Sequence, residues 1–117
     1  MSFKKGDIVS FSFEMPSTGD YVKHSAVVLS CDEMYQKEKC YLCAMMTSNG
    51  ASDRFTFKLE DTMLEKPSVK ADTQVRCHLI TYVHEEDLGQ TTSPLNRINA
   101  NSMQRLLERI NVNVLDN

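Results

Sequence analysis

Hydrophobic and polar residues alternate with a period of two over much of the chain. From Ile8 to Phe13 in "KKGDIVSFSF", Val9, Phe11 and Phe13 share one face and Ile8, Ser10 and Ser12 the other. This predicts a half-buried strand entered through Gly6-Asp7. "EMPSTGDYVKH" (Glu14 to His24) gathers Pro, Ser, Thr, Gly and Asp, and reads as a loop of about ten residues. "SAVVLS" follows as a second strand, apolar on both faces and hence central. "SCDEMYQKEK" is polar, with room for a short helical turn. "CYLCAMMTS" is a third, buried strand running to Thr47-Ser48 and the turn signal Asn49-Gly50.

In "DRFTFKL", Phe55, Phe57 and Leu59 alternate with Arg54, Thr56 and Lys58, as in a strand wet on one side. "EKPSVKADTQ" is a connector. "TQVRCHLITYV" is a further strand, with Val75, Cys77, Leu79, Thr81 and Val83 expected on one face. Arg76, His78, Ile80 and Tyr82 are expected on the other. The period then changes to that of a helix: Met103, Leu106, Leu107 and Ile110 form a stripe, with Asn99 as N-cap and an Ile98–Met103 staple across it. Five or more short strands and one terminal helix predict a mainly β fold, a small SH3-like β-barrel with a C-terminal α-helix. It forms one domain over residues 1–117.

Composition narrows the function classes. Net charge is −3, so no global basic field draws in polyanions, and nucleic-acid binding would depend on a local patch. Lys4, Lys5, Lys23, Lys66, Lys70 and Arg76 are candidates for it. No apolar run approaches the roughly 18 residues of a membrane helix, and the start lacks the features of a secretory signal. The expectation is a cytoplasmic protein without a membrane partner.

"CYLC" has the spacing of a metal-binding pair, but a strand there directs Cys40 and Cys43 to opposite faces. Cys31, Cys40, Cys43 and Cys77 are therefore expected to be reduced, mostly apolar side chains, with no metal and no cofactor.

Several short motifs recur in a telling order: "GDIV" (Gly6 to Val9), "HSAVVLS", Thr47-Ser48 at a strand end, Lys66-Pro67-Ser68, and "VRCH" before a terminal helix. In this order and spacing the chain resembles the MazF/PemK toxins of bacterial toxin–antitoxin systems, whose fold is shared with the CcdB gyrase poisons. The resemblance implies an endoribonuclease cleaving single-stranded RNA by 2′-hydroxyl attack without a metal. It also implies a homodimer and a cognate antitoxin peptide that blocks the grooves.

By position, the family's functional residues fall on His24, Thr47, Ser48, Arg76 and His78. Two are departures: His24-Ser25 stands where Arg-Pro is usual, and His78 where Asp is usual.

The chemistry suits those residue types. Histidine exchanges protons near neutral pH, and arginine's planar fork matches two phosphate oxygens. The candidates are therefore His24, Arg76, Thr47 and His78 for catalysis, with Lys23, Ser48 and Lys70 for RNA binding. Simpler readings stand beside them. Thr47-Ser48 can merely end a strand, His84 beside Glu85 and Glu86 can be solvated, and the phenylalanines are expected in the core before they serve as stacking platforms.

The competing function is a non-catalytic PemK/CcdB-like binding protein for antitoxin, nucleic acid or gyrase. The two departures favour it, whereas the matched Thr-Ser and Val-Arg favour the nuclease. The nuclease reading makes one spatial demand: the early loop must bring His24 beside Arg76 in one pocket sized for a phosphodiester.

Overall fold

A computed structural model describes residues 2–48, 52–67, 73–88 and 93–116. The element order is β1 (Asp7–Glu14), β2 (Tyr21–Val28), α1 (Asp32–Glu38), β3 (Cys40–Thr47), β4 (Thr56–Lys58), β5 (Gln74–His84), β6 (Asn96–Arg97) and α2 (Ala100–Ile110). The strands form one antiparallel, barrel-like sheet in the order β4-β5-β3-β2-β1-β6. The mainly β architecture with a terminal helix is the one expected.

Each face of the sheet carries its own core. On one, Ile8, Val27, Met46, Phe57 and Val75 pack with Met103, Leu106 and Ile110 of α2. On the other, Val9, Phe11, Ala26, Val28, Cys43 and Met45 pack with Phe3, Tyr35 of α1 and Leu88. The helical stripe read from the sequence is the packing face of α2, and Asn99 caps it by accepting the Ser102 N–H at 2.9 Å. Phe11 and Phe57 are core residues, as the simpler reading held.

The "GDIV" motif has a structural explanation. Gly6 adopts φ +95°, and a Cβ there would lie 2.9 Å from the Ile98 carbonyl oxygen, so only glycine fits without strain. Asp7, almost fully buried, accepts from Lys4 N–H at 2.8 Å and from Arg97 Nε at 2.6 Å, tying β1 to β6. The motif thus anchors the edge strand β6 on β1.

Three expectations are corrected. The loop ahead of "SAVVLS" is shorter than about ten residues, because β2 begins at Tyr21 and pairs with β1 from Glu14↔Tyr21 to Ile8↔Val27. Lys23 and His24 therefore lie inside a strand, with His24 opposite Phe11. Aromatic and β-branched residues at 21 and 22 extend the ladder into what composition marked as loop.

The strand in "DRFTFKL" is reduced to Thr56–Lys58, although the Phe55 carbonyl and the Leu59 N–H still bond to Cys77 and Thr73.

The regular alternation of β5 fails. Ala44 pairs with Ile80 but Met46 with Val75, so Met45 alone faces the stretch Arg76 to Leu79. Across this bulge Cys77 and Ile80 both join the α2-side core, while Leu79 and Val83 join the other. A bulge cannot be read from a pattern of period two.

The Asn49-Gly50 turn signal, Ser68 of the connector and Lys70 lie outside the described residues.

Candidate active site

The β2–β3 ladder runs from Val28↔Cys43 to Ala26↔Met45 and stops. Beyond it β2 continues with β1 and β3 with β5, so the two hairpins diverge. An open groove of about 440 Å³ lies in the fork. Lys23, His24 and Ser25 line it from β2, and Met46, Thr47, Ser48 and Thr73 from the other side. The sequence candidates His24, Thr47, Ser48 and Lys23 thus meet in one place, although His24 and Thr47 are 23 positions apart in the chain. His24 is half-buried and Lys23 exposed.

Register fixes which side chains share a face. Met46, Val75 and Phe57 are neighbours across three strands, and all enter the α2-side core. Thr47↔Gln74↔Lys58, one position along, must face away from that core, as must Thr56↔Arg76. His24 has the parity of Ala26 and faces Phe11, both in the opposite core, so it stands on this face too. His24 and Arg76 are therefore on the same side of the sheet.

They do not share one pocket. Among the described residues, neither Arg76 nor His78 lines the groove. The Arg76 side chain is only 10% exposed and grips Asp53 bidentately, through Nη2 to Oδ2 at 2.7 Å and Nη1 to Oδ1 at 3.2 Å. Nη1 also donates to Thr56 Oγ1 at 2.9 Å and to Gln74 Oε1 at 2.8 Å.

The arrangement corrects the expectation that Arg76 projects toward a phosphate beside His24: an internal carboxylate already occupies the guanidinium. Hydrogen bonds from Arg76, above all, hold the Asp53 carboxyl down at about 2, helped by the Phe55 N–H at 2.9 Å. Sequence reasoning missed Asp53, and nothing in the local pattern flags it, because its partner is brought by β4–β5 pairing.

His78 stands near this ion pair. Its ring lies 4.5 Å from that of Phe55. Burial, followed by the Arg76 cation, lowers its pKa below 6.5, with Asp53 acting in the opposite sense. It therefore belongs to the Arg76–Asp53 cluster, outside the groove lining. Lys58, which the sequence reading treated only as the wet side of a strand, lies on the same face as the groove residues, one strand beyond Gln74.

Cys40, Cys43 and Cys77 are buried, and Cys31 is exposed. Cys43 and Cys77 sit in the two cores, where burial raises their thiols to about 12 and about 11. Among the described residues no three or more His, Cys, Asp or Glu side chains are gathered as for a metal ion. Nor is any helix long and apolar enough to cross a membrane.

A family profile described as the PemK-like, MazF-like toxin of type II toxin-antitoxin systems matches residues 4–114. The chain belongs to the PemK/MazF-like toxin family.

Solved structures agree on the fold. MazF in the MazE-MazF crystal structure (Form-III) of Deinococcus radiodurans superposes with TM-score 0.71 at 15% identity, over 95% of this chain and 94% of that one. MazF (Form-I) of the same organism gives 0.71 at 13%, with 95% and 94% covered. An endoribonuclease in complex with its cognate antitoxin, from a mycobacterial species, gives 0.69 at 11%, with 97% and 95% covered. Among curated proteins none matches the chain in sequence.

Proposed function

We propose that this PemK/MazF-like toxin is a cytoplasmic endoribonuclease that cleaves single-stranded RNA in the groove between β2 and β3. One observation carries the reading. The fork in the sheet gathers an imidazole, an ammonium and the hydroxyl residues Ser25, Thr47, Ser48 and Thr73 around a single opening, with no carboxylate among the described lining residues. Such a lining suits an anionic phosphodiester.

In the proposed step His24 takes the proton from the 2′-hydroxyl, and the 2′-oxygen attacks phosphorus. The bond to the 5′-oxygen breaks and water protonates that oxygen, leaving a 2′,3′-cyclic phosphate and a 5′-hydroxyl. Lys23 opposes the charge that builds on the phosphorane, while Thr47 and Ser48 hold its oxygens. Arg76 acts through another residue: it bonds Gln74, which is paired with Thr47, and so stiffens the groove wall. His78 packs on Phe55 beside the ion pair and flanks that wall. Lys70 is retained as an RNA contact on sequence grounds.

The family and the antitoxin-bound neighbours support two further parts of the reading, a homodimer and a cognate antitoxin peptide that covers the groove.

A second reading, a binding protein without nuclease activity, draws support from the Asp53 carboxylate that already fills the Arg76 fork.

Incubating purified protein with long single-stranded RNA in chelator separates the two. Cleavage with cyclic-phosphate ends, reduced about 10²-fold or more in His24→Ala and in Thr47→Ala, is expected for the nuclease. RNA left intact by the wild type from pH 5.5 to 8.5 would instead support the binding protein.

A further inference from the structure

The register across three strands places a lysine in line with the groove. Thr47 of β3 pairs with Gln74 of β5, and Gln74 with Lys58 of β4, so the three residues form one row on the groove face. With strands about 4.8 Å apart, Lys58 stands roughly 10 Å from Thr47, perpendicular to the strands. Thr73, which lines the groove, accepts the Leu59 N–H at 3.0 Å, and this bond holds the neighbouring Lys58 beside the groove's far wall. Lys58 is exposed, and no ion pair engages it among the described residues. Asp53, beside Thr56 at the other end of this short strand, is neutralised by Arg76. Phe57 is locked into the α2-side core, so the strand cannot rotate Lys58 away.

We infer that Lys58 binds a backbone phosphate of the RNA next to the one cleaved, so that the strand runs across the sheet from β2 over β3 and β5 to β4. The inference rests on the nuclease reading above and gives it a direction. Lysine suits the role: a flexible point charge tracks a backbone without reading bases. A substrate held at both His24 and Lys58 crosses the scissile position at a fixed angle. A substrate ending in the groove loses that alignment.

The test uses a fluorescein-labelled single-stranded RNA with 2′-O-methyl at every position, which binds but cannot be cleaved. Affinity is measured from 50 to 300 mM salt for the wild type, Lys58→Ala, Lys58→Arg and, as a distant control, Lys37→Ala. Each phosphate neutralised contributes about 0.7 to the slope of log affinity against log salt. Lys58→Ala is expected to lower that slope by about 0.7, with Lys58→Arg restoring it and Lys37→Ala leaving it unchanged. A structural role would not move the slope in this way, and unchanged thermal midpoints show that the variants are folded. Binding with the same slope in Lys58→Ala overturns the assignment and leaves the nuclease reading intact. A wild type that neither binds this probe nor cleaves unmodified RNA removes both.

Discussion

Replacing Arg76 by alanine tests whether this guanidinium builds the site or reacts in it. The change removes donors at 2.9 Å to Thr56 and 2.8 Å to Gln74, together with both bonds to Asp53. Asp53 is nearly half exposed and regains water, so the ion pair itself adds little. Gln74 is only 2% exposed, and its Oε1 loses a charged donor in a buried place. Together these losses cost about 2 kcal/mol. At about 2.1 cal/mol/K of unfolding entropy per residue, a chain of this length should melt about 8 °C lower.

Differential scanning calorimetry of the wild type and variant at pH 7 gives the shift directly. Cleavage should then be compared at a temperature where both are folded, and only a modest loss is expected there. A midpoint within about 2 °C of wild type, combined with a hundredfold loss of cleavage, would refute the reasoning and restore Arg76 to the reaction itself.

Asp53→Asn supplies the pH arm. The Asp53 pKa is lowered from 3.8 to about 2, so the stability from the ion pair is complete above about pH 4 and lost as pH falls through 2. The stability gap between wild type and Asp53→Asn, small because Asp53 is nearly half exposed, should therefore close over that window.

Two other measurements bear on the same picture. His78 should titrate below 6.5 by proton NMR, and Phe55→Ala should raise the midpoint by removing the partial cover that Phe55 gives this otherwise exposed ring. Because the folded value is the lower one, stability associated with the neutral ring is present above 6.5 and declines as pH falls toward the folded value; a midpoint at or above 6.5 contradicts the burial argument. Of the four free thiols, only exposed Cys31 should react quickly with an aromatic disulfide at pH 8, and all four should react in denaturant. A second fast thiol in native protein, or fast labelling that survives Cys31→Ser, goes against the packing of the other three.

Much of the architecture was legible because local pattern and burial agree. The strands around "DIVSFSF" and "CYLCAMMTS" and the stripe from Met103 to Ile110 each carry the period of their own element, and the Asn99 cap is a local bond. The errors came where tertiary pairing overrode that pattern. Tyr21 to His24 became strand because β1 supplied a partner, and β5 lost its alternation at a bulge opposite Met45 of β3.

The same division holds at the site. The sequence by itself determined the fold class, the identity of the polar residues available for chemistry and the family resemblance, since these depend on residue type and order. Only the tertiary structure decided that β2 and β3 part after Ala26 and Met45, bringing His24 to Thr47, and that Arg76 turns to Asp53. The reason is physical. A guanidinium goes to the carboxylate that folding brings nearest, and pairing between distant strands, which no local period encodes, decides which carboxylate that is.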